Sequence, residues 1–218
     1  MRYFVKTPWL IKKVFPNYTW DIKTDKKSLF FTFDDGPHPQ ITEFVLDQLK
    51  IYNAKATFFC IGKNVVKNPE LYHRISRDGH AVGNHTYNHL NGWKTKSEFY
   101  MNDISEAAIH IKSNLFRPPY GKITSFQANC LNYAMGVANP KVIMWDVLSA
   151  DFDTAITPKQ SMNNVIKHAR SGSIVVFHDS EKAFPRLEKI LPALLEFYTQ
   201  KGFLFDYLYQ DYITGNND

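Results

Sequence analysis

Short runs rich in aromatic and β-branched residues recur along this chain, and most of them end in acidic, histidine or arginine residues. Residues 29–33 run into Asp34-Asp35-Gly36-Pro37, and residues 80–83 into Asn84-His85-Thr86-Tyr87-Asn88-His89. Residues 115–117 end at Pro118-Pro119-Tyr120-Gly121, and residues 173–177 at His178-Asp179-Ser180. Residues 56–62 and 141–147 read as two more strands, the second followed by Leu148-Ser149-Ala150-Asp151-Phe152-Asp153, and 202–205 as a last one. Between them, apolar residues return at helical spacing, as in Ile41, Phe44, Val45, Leu49 and Tyr52. Further helices are predicted over 68–78, 97–114 (Ser97 as cap), 124–135, 158–169 and 181–200. Strands alternating with helices predict crossover units and a parallel sheet, hence an α/β fold. In such folds the carboxyl ends of the strands carry the site, and that is where the polar residues fall.

Composition narrows the function. A chain of 218 residues with 44% hydrophobic and 15% aromatic residues can bury a substantial core in one domain. A net charge of +5, with lysines and arginines scattered, lacks the basic stripe and module of a nucleic-acid binder. Cys60 and Cys130 lie in apolar or amphipathic segments and read as core thiols. No run is long enough to span a membrane, and Met1 to Trp9 has no secretory-signal pattern, so a cytoplasmic location is expected. Residues 1–27 mix Trp9, Leu10, Ile11, Val14 and Phe15 with lysines. They are expected to dock on the domain, with weak membrane-surface contact as the alternative.

The strand ends suggest chemistry. Asp34 and Asp35 are adjacent where a strand stops, so alternation should send them to different tasks, one binding a metal and one acting as base. The plainer alternative is a turn with a solvated carboxylate. His85 and His89 are four apart, which on a helical turn puts both imidazoles on one side. With one carboxylate they make a catalytic divalent-metal pattern, zinc first. A third histidine, His178, is a candidate to protonate a leaving group. Arg117 is a candidate to orient the base, the alternative being a structural salt bridge. The parts describe hydrolysis of an amide or ester. No nucleophile elbow and no phosphate loop is present.

Taken together, these blocks resemble the polysaccharide deacetylases, metal-dependent carbohydrate esterases sharing a homology domain with a nodulation-type chitooligosaccharide deacetylase. The resemblance implies an irregular β/α barrel, which makes residues 28–212 the catalytic domain, with the docked segment 1–27 before it; from its own composition the tail, 213–218, is expected to be disordered. It implies removal of acetyl groups from N-acetylated amino sugars, of chitooligosaccharide or peptidoglycan type, with O-acetyl esters or non-sugar amides as alternatives and a non-catalytic relative behind them. By the same resemblance Asp34 is the base, and Asp35, His85 and His89 hold the metal. Arg117 orients Asp34, the Tyr120 N–H stabilises the oxyanion, and His178 is the acid, tuned by Asp151. Val176 lines the acetyl pocket, Phe152 and Trp145 face substrate, and Asp146 lends support. The fourth block departs from the family pattern: Leu148 stands where many members have Asp, and Phe152 where many have a groove-forming Trp. An active deacetylase with altered substrate preference is expected.

Overall fold

The computed structural model describes residues 3–209; the tail expected to be disordered lies outside the described residues. Its elements are α1 (Trp9–Val14), β1 (Ser28–Asp34), α2 (Ile41–Ile51), β2 (Thr57–Cys60), α3 (Gly62–Lys67), α4 (Pro69–Arg77), β3 (Ala81–Asn84), α5 (Ser97–His110) and β4 (Leu115–Phe116). They continue through α6 (Ser125–Asn129), α7 (Leu131–Met135), β5 (Lys141–Val142), β6 (Val147–Leu148), α8 (Pro158–His168), β7 (Ile174–His178), α9 (Phe184–Gln200) and β8 (Leu204–Phe205). The strands are paired in parallel in the order β5-β4-β3-β2-β1-β7-β6, with β8 on the start of β1. The sheet curls into an irregular β/α barrel.

Strand β1 lies at the centre, buried along its whole length. Alternation divides its side chains. Leu29, Phe31 and Phe33 pack outward with Val45 and Leu49 of α2 and Leu187, Leu191 and Leu194 of α9. Phe30 turns inward and packs with Phe59, Leu115, Ile143 and Ile174. Thr32 and Asp34 share its inner face, so the last inward position of β1 opens at the mouth of the barrel. In register beside Asp34 lies His178 of β7, which is why these two side chains meet.

Several predicted elements differ in form, among them the strand expected over 56–62, which is Thr57–Cys60 followed by α3. The strand expected over 141–147 is two short strands, because the carbonyls of Ile143 and Met144 between them turn inward to accept hydrogen bonds from Arg117. The helix expected over 124–135 breaks at Cys130 into α6 and α7. The last helix starts at Phe184, where Pro185 takes a first-turn position that needs no backbone donor. Ser97 is the first helical residue of α5, and Lys96 the cap.

Residues 3–27 run across the outer strands. Leu148 donates to the Val5 carbonyl at 2.8 Å, Thr7 donates to Asp146 at 2.9 Å, and Thr19 donates to Val142 at 2.9 Å. The segment thus covers backbone of β6 and β5, the two ends of the strand order, which would otherwise be open edges. Its helix α1 buries no side chain, and Trp9, Leu10 and Val14 remain exposed. Among the described residues no helix is long and apolar enough to cross a membrane.

Candidate active site

Five strand ends supply the site. Asp34, closing β1, is buried, and its Oδ1 accepts from Arg117 Nη1 at 2.7 Å. Arg117, just after β4, is fully buried, and every arm of its fork is held. Nη1 also reaches Thr32 Oγ1 at 2.7 Å, Nε donates to Ile143 O at 3.2 Å and Nη2 to Met144 O at 2.9 Å. Its guanidinium lies 4.0 Å from the Phe59 ring centroid. A buried charge this well partnered keeps its geometry, and it fixes the rotamer of Asp34.

Asp35 points the other way. Its φ of 87° is left-handed, a conformation that costs a non-glycine residue about 1–3 kcal/mol. Thr86, His89, Tyr120 and Ala150 share that strain, with φ between 59° and 63°. Five of the seven non-glycine left-handed residues among the described residues, all but Asn53 and Asn139, therefore lie in the loops at the barrel mouth. Asp35 Oδ1 is 3.3 Å from His89 Nε2 and 3.8 Å from His85 Nε2. The three donor atoms lie within 4.8 Å of one another.

His85 and His89 do not sit on a helical turn, as their spacing suggested. They lie in an irregular loop after β3, bent by the positive φ of Thr86 and His89, and the loop rather than a helix brings the rings together at 5.0 Å. His85 Nδ1 donates to the Arg117 carbonyl at 2.7 Å, which leaves Nε2 unprotonated and facing Asp35. Burial, then the neighbouring His89, hold His85 down to about 3, and burial lowers His89 as well. Both rings are therefore neutral near pH 7, the form a metal needs. Asp35 Oδ1 is buried without a hydrogen-bond partner. An orphaned carboxylate oxygen facing two neutral imidazoles fits a divalent cation, and Asp35, His85 and His89 would hold it.

On the other side of Asp34, Asp151 grips His178 twice. Its Oδ2 accepts from the His178 backbone N–H and its Oδ1 meets Nδ1, both at 2.8 Å. Nε2 is left for the mouth. Burial disfavours the imidazolium, but the Asp151 carboxylate, with Asp35 and Asp34 beyond it, overrides burial and pushes His178 up to about 9. Phe152 packs edge-on against His178 at 5.1 Å and against Tyr3 at 5.6 Å. Tyr120 stands exposed with its ring 4.7 Å from His89. Val176 shares the inner face of β7 with His178 and pairs in register with Leu148. Trp145 is half-buried against Gly121, where any side chain would strike its ring.

Asp146 is not part of the site. Its buried carboxylate is neutralised by Lys6 and Lys12 and accepts from Ser173, so it anchors the N-terminal segment. Asp179, next after His178, is buried under the Asp34-Asp35 turn, and burial, with Asp35 nearby, pushes its carboxyl up to about 8.

Two supports escaped the sequence reading. Thr32 lies two residues before Asp34, hence on the same strand face, and shares Arg117 Nη1 with it. Asp103 of α5 accepts from the N–H groups of Tyr87 and Asn88, both at 3.0 Å, and from the Asn88 side chain at 2.7 Å, so it fastens the histidine loop. Its signal was an aspartate on the inward stripe of α5, beside Ile104 and Ala107.

A parallel β/α barrel with a two-histidine, one-carboxylate cluster and a separate carboxylate–histidine pair at its mouth defines a hydrolase of the metal-assisted class. The polysaccharide deacetylase family model matches residues 21–135, more than half of the chain, and the chain belongs to that family of metal-dependent deacetylases. A peptidoglycan-N-acetylglucosamine deacetylase of Bacillus cereus is 37% identical over 186 residues, covering 81% of this chain and 85% of the relative. A chitooligosaccharide deacetylase of Azorhizobium caulinodans is 33% identical over 165 residues, covering 72% of this chain and 76% of the relative. Among solved structures, the Bc1960 peptidoglycan N-acetylglucosamine deacetylase superposes with a TM-score of 0.81 at 30% identity, covering 91% of this chain and 94% of that one.

Proposed function

We propose that this protein removes the acetyl group from an N-acetylated amino sugar of peptidoglycan or chitooligosaccharide type, with zinc as the cation at Asp35, His85 and His89. The observation that carries the reading is the paired arrangement at the mouth. A carboxylate (Asp34) and a histidine (His178) stand in register on adjacent strands, each held by its own buried partner, beside an orphaned carboxylate facing two neutral imidazoles. A divalent cation held there supplies Lewis acidity, making water acidic enough to deprotonate near neutral pH and polarising an acyl oxygen.

The chain's own residues do the rest. Asp34, with Oδ1 tied to Arg117, offers Oδ2 to take a proton from the attacking water. His178, protonated at neutral pH with Nδ1 on Asp151, donates from Nε2 to the departing amine. The N–H groups of Gly121 and Lys122 donate to Pro118 and Pro119, and the Tyr120 N–H is assigned to the developing oxyanion. Val176 and Leu148 line the barrel wall where the small acyl group would lie, and Phe152 borders the sugar groove.

Acetate release tests this directly, on N-acetylglucosamine oligomers, peptidoglycan fragments and O-acetylated sugars, with zinc-loaded and chelated protein. Release from the amides, abolished by chelation and restored by zinc, is the expected result; turnover of esters alone would overturn the amide assignment. In the same panel Phe152→Trp is expected to reorder the substrates, because it enlarges the face that borders His178. An unchanged ranking would remove Phe152 from the groove.

Beyond the substrate, we propose a weak membrane-surface contact through α1, where Trp9, Leu10 and Val14 are exposed beside Lys13. Co-sedimentation with anionic vesicles, weakened by Trp9→Ala, is expected; equal recovery with and without vesicles would discard it.

A further inference from the structure

We propose that Asp179 is a positioning residue for the Asp34-Asp35-Gly36 turn, setting the angle at which Asp35 faces the two histidines. This rests on the metal reading above for its function, but its geometry stands apart from it. Asp179 is fully buried, and both carboxylate oxygens are used. Oδ1 accepts from the Gly36 N–H at 2.9 Å, and Oδ2 accepts from Thr42 Oγ1 at 2.5 Å. Its own N–H donates to the Asp34 carbonyl at 3.0 Å. One residue therefore holds the turn on both sides of Asp35.

Other bonds complete the grip. Asn64 Nδ2 donates to the Asp35 carbonyl at 2.7 Å, and the Gly36 carbonyl accepts from Ile61 at 2.9 Å. Thr42, the link to α2, also accepts from the His38 N–H at 2.8 Å. Asp35 needs such a frame, since its left-handed backbone will not persist unless its neighbours dictate it.

The glycine reports the same contact. A Cβ on Gly36 would sit 2.0 Å from Asp179 Oδ2 and 2.6 Å from its Cγ, and the three nearest atoms to it all belong to Asp179. Gly36 has no positive φ among the described residues. It is glycine because a carboxylate occupies the space its side chain would take, not because the backbone demands it. Asp179 follows His178 directly, so the end of β7 presents one side chain to the mouth and turns the next beneath the metal-binding turn.

The test compares Asp179→Ala, Asp179→Asn and Thr42→Val in full-length protein, by zinc competition against a chromophoric chelator and by melting of the metal-free protein. Outer partners of metal ligands typically change affinity 10–100-fold. Asp179→Ala is expected to weaken zinc by that amount. Asp179→Asn, which keeps an acceptor for the Gly36 N–H, is expected to lose less. Thr42→Val, losing the link to one oxygen only, should fall between wild type and Asp179→Ala. Zinc affinity equal to wild type in both Asp179→Asn and Thr42→Val would overturn the proposal, and these two serve should Asp179→Ala not fold.

A second arm does not depend on metal. Gly36→Ala alone is expected to lower the melting temperature sharply, whereas Gly36→Ala added to Asp179→Ala should cost little more than Asp179→Ala. Additive losses would show that Asp179 does not occupy the space beside Gly36, and would sink the positioning claim. If the wild-type chain takes up no zinc, the metal reading fails, and the cycle still decides the proposal.

Discussion

Asp34→Asn is expected to lower kcat by about 10²–10⁴, the range a positioned general base supplies, while zinc affinity changes little. The two effects separate because Asp34 and Asp35 serve different partners. Asp34 is turned to Arg117, and Asp35 to His85 and His89. Asparagine keeps an oxygen for Arg117 Nη1 but cannot accept a proton at neutral pH. The fold should tolerate the change. Removing one partner of a buried pair often costs ~3–5 kcal/mol, yet Arg117 keeps Thr32, Ile143, Met144 and the Phe59 face. Acetate release with bound zinc measured in the same sample checks this. Near-wild-type turnover would remove Asp34 from the base role; lost zinc would show that it, too, holds the metal.

How far the sequence reached depends on which contacts were local. Residues 29–37 announced a buried strand ending in two carboxylates, and alternation places Thr32 and Asp34 on one face in the structure. Alternation did not govern Asp35, which has already left the strand with a φ of 87°. Spacing alone misread His85 and His89, since a four-residue interval fits a helical turn and equally a loop bent at Thr86 and His89. What closes that loop is Asp103, whose one mark in the sequence is its place on the inward stripe of α5, and what braces the first turn is Asp179, far from that turn in sequence. The break in the strand expected over 141–147 belongs to the same class. Its cause is Arg117, a residue of another strand end that takes two carbonyls from it. The N-terminal segment was legible as an apolar and basic stretch, but its pairing with β6 and β5 was not, because backbone pairing leaves no residue signature.

Phe152, where the sequence departs from the family pattern, lies between His178 and Tyr3. The hydroxyl of Tyr3 in turn donates to Asp153 at 2.7 Å. The N-terminal segment therefore reaches Phe152 and Asp153 beside His178 as well as the sheet edge.

The largest effect after the base is expected from Asp151→Asn, which should reduce kcat by orders of magnitude and move the alkaline limb of the pH profile down. The carboxylate now accepts from both the His178 N–H and Nδ1. An asparagine there keeps its oxygen on the backbone N–H and turns its amide toward Nδ1. That forces Nδ1 to accept, so the ring is held neutral with its proton on Nε2, and a neutral imidazole is a very weak acid. In the wild type His178 is raised to about 9. The protonated form is present at neutral pH and is lost as pH rises through that value, so activity falls on the alkaline side. A cation at the triad would offset the contribution of Asp35 to that rise. Stability of the metal-free protein follows the same sign. A histidine raised in the fold contributes stability fully present below its unfolded value near ~6.5, ~3 kcal/mol at most here, and lost as pH rises through the folded value. Melting of metal-free wild type should therefore drop between neutral and alkaline pH by more than that of Asp151→Asn. Parallel melting curves would show that Asp151 does not stabilise the imidazolium, and an unchanged alkaline limb would take His178 out of the proton-donor role.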